Sequence, residues 1–467
     1  MDIKNTIGIF CYDKHKKYEC RYKPNEIFFG FGIESEYYLE FEKEYEFDHL
    51  MFIQNHNKER YSIDYYSNYK EDTIPFFEKI KYNGKLPLLF NSHSLTFNDR
   101  YNQPKNKYTI TNEQNEKFNQ ETLWDFCKKR NEYLSTNFDK TFTFDGDTIE
   151  IMTLDFYNKS INDVLEEHLI SRNNLIENLN KVFIDNNIFQ EYGRLNFMKK
   201  NHPFAVHLTN INNVAMFNNG TIHINITLPT KLDKNCKIEN KFEFIEKHRN
   251  FIRLIQYLEP ILLCVYGTKD PFSEYDTKFS SSSQRCAISR YIGIGTYDTN
   301  EMKTGKILQE SLENIVVARE KWGWYNKYYR KCGYNQLSKL GMDINFNKHY
   351  NHGVEIRFFD FIQEDKYKEL CNFIVWLGNI SSKRSFDNPI YTVDWNDMVV
   401  SSFIEGKKWE LGRNQKKIYS EIFGNIYSTN VIDIYQELYS KIDSKEPDEF
   451  VVEIRKNSSD TKCCTIL

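Results

Sequence analysis

Between Ile27 and Phe41 the chain reads Ile-Phe-Phe-Gly-Phe-Gly-Ile-Glu-Ser-Glu-Tyr-Tyr-Leu-Glu-Phe, with large apolar residues recurring at alternate positions. That period belongs to a strand, whose successive side chains point to opposite faces. Phe29, Phe31, Ile33, Tyr37, Leu39 and Phe41 share one face; Gly30, Gly32, Glu34, Glu36 and Glu40 share the other. Carboxylates set side by side on a strand repel each other unless water or a cation screens them. The two glycines are expected to leave open space on the same face. The stretch therefore reads as an oxygen-lined cation site beside a cavity, against the plainer alternative of a half-exposed strand with solvated glutamates.

Three further stretches have the same character. Thr148 to Leu154, entered through the turn Asp145-Gly146-Asp147, carries Glu150. Gly220 to Leu228, expected to stop at Pro229, sets Ile222, Ile224, Ile226 and Leu228 against Thr221, His223, Asn225 and Thr227. Gly353 to Phe361 places Glu355 and Arg357 on one face. Helical spacing covers Glu121 to Thr136, Ile161 to Phe183 with Ser160 or Asn162 as cap, Phe242 to Tyr266, Tyr367 to Ser381, and Gln415 to Asp443. A short strand is expected near Ile7 to Cys11, and from about Phe47 to Phe118 strands, Leu86 to Phe90 among their apolar runs, with a long polar excursion after Asn98. The elements lack regular βαβ spacing, so the fold class is α+β: a large, mainly antiparallel sheet flanked by helices. Residues 1–443 read as the folded domain and residues 444–467 as a flexible tail.

Composition narrows the function classes. With 467 residues, 40% hydrophobic and 16% aromatic, the chain can bury a sizeable core and is not disordered. A formal charge of −4 gives no support to nucleic-acid binding through a basic surface. The 10 cysteines include no Cys-x-x-Cys pair, so neither a zinc ribbon nor a thioredoxin-type site is indicated. The first eight read as buried cytosolic thiols, Cys286 beside Arg285 among them. Met1-Asp2-Ile3-Lys4-Asn5 reads as neither a secretory signal nor a myristoylation site. The longest apolar run, near Ile252 to Val265, is interrupted by Arg253, Gln256 and Glu259 and does not reach membrane-spanning length.

Taken together, the four strands supply Glu34, Glu36, Glu150, His223, Asn225, Glu355 and Arg357 to polar faces. Each face alone reads as solvated. Jointly they propose a site for Mg²⁺ and a nucleotide, because Mg²⁺ takes hard oxygen ligands and shares them with water and phosphate. Arg285, Arg290 and Arg357 would meet the charge on a transferring phosphate. No Gly-x-x-x-x-Gly-Lys-Ser/Thr loop occurs, and Gly293-x-Gly295 is too little for a dinucleotide fingerprint.

The order and wording of these motifs resemble the glutamine synthetase–like carboxylate–amine ligases, particularly the amidoligase and glutamate–cysteine ligase branch. Gly32-Ile33-Glu34-Ser35-Glu36 is similar to that family's first metal-binding strand, and Asp145 to Thr153 to its next acidic strand. Gly220 to Thr227 resembles its His-x-His strand, with Asn225 in place of the second histidine. Glu259-Pro260-Ile261-Leu262-Leu263 resembles the helix end that follows, and Gly353 to Asp360 the Glu-x-Arg-x-x-Asp segment. The resemblance runs from Phe28 to Asp360 as spaced motifs. It implies Glu34, Glu36, Glu150 and Glu355 as metal ligands for Mg²⁺ or Mn²⁺. His223, Asn225 and Arg357 fall to the nucleotide, and Arg285, Arg290 and Arg357 to catalysis. ATP would phosphorylate a substrate carboxylate, and an amine on a small molecule or peptide would attack the acyl phosphate to give an amide. The alternatives are a guanidino kinase of related fold and a catalytically inactive binding protein on the same scaffold.

The chain ends Cys463-Cys464-Thr465-Ile466-Leu467. Cys464 four from the end, an aliphatic Ile466 and a final Leu match a prenylation box of the geranylgeranyl type. Palmitate on Cys463 would complete a two-chain anchor. The sequence thus implies a prenyltransferase as partner and a cytoplasmic location, peripheral on the cytosolic face of a membrane.

Overall fold

The opening alternation becomes strand β1 (Ile27–Tyr37) in the computed structural model, which describes residues 22–58, 78, 81–96, 122–154, 156–208, 210–218, 220–270, 281–286, 297–304, 343–348 and 351–442. The expected strand near Ile7, the polar passage after Asn98, Arg290, the tail and its two cysteines lie outside those residues. The other strands of the same sheet are β2 (Phe142–Asp145), β3 (Thr148–Met152), β4 (Thr221–Lys231), β5 (Ile344–Phe346) and β6 (Val354–Asp360). They lie in the order β5-β6-β4-β1-β3-β2, so the four polar-faced strands found by alternation are consecutive. The β1–β3, β2–β3 and β5–β6 pairs are antiparallel. A five-stranded sheet runs Asn210–Asn218, His202–His207, Leu88–Phe90, Leu39–Phe41, Leu195–Phe197, with one parallel pair between Leu88–Phe90 and His202–His207. With ten α-helices among the described residues, the class is α+β, as the spacing predicts.

By its contacts the chain resolves into two compact units: Met1–Ile33, Thr153–Glu166 and Ile222–Leu467 in one, Glu34–Met152 and Glu167–Thr221 in the other. The core of the first gathers around the helix Lys241–Tyr266, whose N-cap Asn240 accepts from the Glu243 amide. It packs on the helices Tyr367–Ser381, Val393–Glu405 and Val431–Tyr439 and on β6. Ile222, Ile224, Ile226 and Leu228 of β4 belong to this core. In the second unit, Phe41, Phe90, Phe183 and Phe189 meet edge to face, ring centroids 5.1–6.0 Å apart.

Several boundaries differ from the sequence reading. The run to Phe41 breaks at Tyr38, because Leu39 leaves β1's sheet and pairs with Phe90 and Phe197 in the five-stranded one. β4 passes through Pro229 to Lys231, since an imide without an N–H is tolerated near a strand end. The helix expected over Glu121 to Thr136 is two, Leu123–Arg130 and Glu132–Asn137. Extended Asn131 ends the first and caps the second through Leu134 N. The last helix is also two, Arg413–Phe423 and Val431–Tyr439, split at Gly424 (φ +83°). Val393–Glu405 was not expected from spacing. Ser160 rather than Asn162 caps Ile161–Asp185, accepting from Asp163 N at 3.2 Å.

Candidate functional site

Glu355 is the centre of the site. It has no exposed surface, and its Oε1 accepts from Arg357 Nη1 at 2.9 Å and Lys348 Nζ at 3.0 Å, with His223 Nδ1 at 3.4 Å. Its other oxygen, Oε2, accepts from Asn345 Nδ2 at 2.8 Å. Strand geometry explains the convergence: Asn345 and Glu355 are register partners across β5 and β6, and Arg357 is two residues on, on the same face. Burial pushes the Glu355 carboxyl up, but Arg357, Lys348 and His223 outweigh it and hold it well below the usual carboxylate range. The alternative of a solvated surface pair does not describe this arrangement.

Within the first unit, His223 and Glu355 offer an imidazole nitrogen and a carboxylate oxygen 3.4 Å apart. Glu34 is half-buried, His223 and Glu355 buried. Asn225, two residues beyond His223, accepts at 3.0 Å from His352 Nε2 through its Oδ1.

Glu36 and Glu150, which the sequence reading grouped with Glu34 and Glu355 as metal ligands, face each other in the structure. They are register partners on β1 and β3, both half-buried, and Thr221 Oγ1 donates to Glu36 Oε2 at 2.5 Å. Glu40 takes no part: it pairs with His202 Nε2 at 3.1 Å in the five-stranded sheet.

The open space expected at the glycines is filled. A Cβ at Gly30 would stand 2.8 Å from Phe156 Cδ2, and one at Gly32 2.8 Å from Phe156 Cβ. Phe156 crosses the strand, accepts from Phe31 N at 2.9 Å through its carbonyl, and sets its ring perpendicular to that of His352, 6.3 Å away. The glycines therefore admit a phenylalanine, not a ligand cavity.

Arg285 is held by its backbone. Asp360, at the end of β6, accepts from the amides of Thr268, Gln284 and Arg285 at 2.8–2.9 Å and from Ser283 Oγ at 3.1 Å. Burial keeps the Asp360 carboxyl above its ordinary pKa despite these four donors. Cys286 is buried, donates to the Phe358 carbonyl, and burial pushes its thiol up, in line with an inert thiol.

No family model matches the chain. No solved structure matches it. Over 400 residues it is 35% identical to an uncharacterized protein of Acanthamoeba polyphaga mimivirus, covering 84% of this chain and 70% of the relative. The chain belongs to that protein's family. That aligned length exceeds the span from Phe28 to Asp360 that carries the site motifs.

Lys348 and Asn345 are the site residues that pattern did not single out. Asp360 closes the Glu-x-Arg-x-x-Asp segment and was visible there. Lys348 follows a turn at Asn347 (φ +54°) beyond the three-residue strand β5, too short to register as alternation. Among the described residues, no helix is long and apolar enough to cross a membrane.

Proposed function

We propose that this protein is an ATP-dependent carboxylate–amine ligase with a glutamine synthetase–like sheet, using Mg²⁺ or Mn²⁺. The observation that carries the reading is the buried Glu355 carboxylate with the buried His223 imidazole 3.4 Å away, two residues chosen from separate strands by their pattern; Glu34 falls to the same metal by the resemblance. A divalent cation held there would neutralise the phosphates of ATP. Arg357, fixed against Glu355, and Arg285 and Arg290 would face the phosphoryl group being transferred. A carboxylate oxygen attacks the γ-phosphorus and ADP leaves; an amine then attacks the acyl carbon, phosphate departs, and the amine loses its proton. The protein's contribution is positioning and charge neutralisation. Glu36 and Glu150 offer a second paired-carboxylate position on the same strands. The tail motif adds a geranylgeranyl thioether on Cys464 and palmitate on Cys463, holding the enzyme on a cytosolic membrane face.

Calorimetric titration with ATP in the presence of Mg²⁺ tests the site. The wild type is expected to bind and Glu34→Gln/Glu36→Gln to lose binding; absence of binding by the wild type rejects the ligase. Acid–amine pairs that release ADP and yield an amide complete the test, whereas a phosphorylated guanidine would assign a guanidino kinase. Transfer of a geranylgeranyl group in vitro, abolished by Cys464→Ser, checks the anchor.

A further inference from the structure

Two side-chain cations and an imidazole nitrogen crowd one oxygen of Glu355. With its other oxygen engaged by Asn345 across β5 and β6, the carboxylate presents Oε1 in a fixed direction. A divalent cation approaching Oε1 meets an ammonium 3.0 Å and a guanidinium 2.9 Å from the same atom. Like charges at that spacing cannot all stay in so dry a place. Arg357 is anchored on the same strand and 19% exposed, whereas Lys348 is 33% exposed and lies past the Asn347 turn on a flexible four-carbon stem. An ammonium is compact and strongly hydrated, so it returns to water more readily than a seated guanidinium.

We propose that Lys348 is a built-in counter-ion: its ammonium occupies the cation position at Glu355 and is displaced when a divalent metal binds. The pair keeps the buried carboxylate compensated in the metal-free protein and sets a threshold that the metal has to exceed. This inference rests on the reading of Glu355 with His223 as a cation site, but not on which reaction follows.

The test is Mn²⁺ binding to the full chain, followed by loss of the free-ion electron paramagnetic resonance signal, for wild type, Lys348→Met and Lys348→Arg. Lys348→Met is expected to bind Mn²⁺ about tenfold tighter, and Lys348→Arg no tighter than wild type. Without metal, Lys348→Met should unfold at lower denaturant than wild type, and saturating Mn²⁺ should close that gap. If Lys348→Met does not fold, Lys348→Gln replaces it. Equal or weaker Mn²⁺ affinity in the uncharged variant overturns the proposal, as does absence of Mn²⁺ binding in both proteins. Tighter Mn²⁺ binding with no amide formed from any acid–amine pair keeps the counter-ion and rejects the ligase.

Discussion

A carboxylate with no exposed surface persists as an anion only where cations and donors replace its water, and Glu355 has four such groups. Removing the charge strands its partners. Glu355→Gln is therefore expected to destabilise the fold by about 3 kcal/mol, measured by urea unfolding. Lys348→Met in that background should cost less than it does in the wild type. The buried imidazoles make the complementary case. His248 accepts from Leu228 N at Nε2 and donates from Nδ1 to the Phe244 carbonyl, which fixes it as the neutral tautomer. Burial pushes His248 and His168 down to about 3 and His93 and His207 down to about 4. Each is neutral in the fold but protonates near pH 6.5 once unfolded. Their contribution is thus complete above about pH 6.5 and lost as pH falls toward 4, by up to about 1.4 kcal/mol per pH unit for each imidazole. Unfolding at pH 7.5, 6 and 5 should show that slope, and His248→Gln should flatten it.

At the scale of elements, β6 does two jobs with alternate ends. Glu355 and Arg357 organise the polar face, while Asp360 ties down the backbone around Arg285. Asp360→Ala would leave three amides and a hydroxyl without their acceptor, each worth about 1–3 kcal/mol where water cannot reach. Amide hydrogen exchange at Gln284 and Arg285 should accelerate while that at β1 stays slow. β1 offers a second check. Because Phe156 lies against both glycines, Gly32→Ala is expected to cost about 1–3 kcal/mol by overpacking. A smaller side chain at position 156 should recover part of that loss in the double variant.

For the whole molecule, the cores decide which thiols react. Cys127, Cys264, Cys286 and Cys371 are buried and burial raises all four thiols, whereas Cys236 is half-buried. Iodoacetamide with peptide mapping should leave those four unmodified in native protein and label them in urea. Cys236 should be modified first among the five.

Alternation and helical spacing determined the class and most elements, because burial of one face imposes a period that composition cannot hide. The polar residues Glu34, Glu36, Glu150, His223, Glu355 and Arg357 were legible for the same reason. Where elements end was not. Tyr38, Asn131 and Gly424 break runs whose apolar pattern continues, since the break follows from which sheet or helix the next residues pack upon. Nor could pattern show what fills a face: Gly30 and Gly32 look like space until Phe156, more than a hundred residues later, is laid across them. Strand pairing set Asn345 opposite Glu355, and the tertiary fold brought Lys348 to the carboxylate's other oxygen and put His352 against Asn225. Local sequence specifies a face; only the tertiary structure specifies what that face meets.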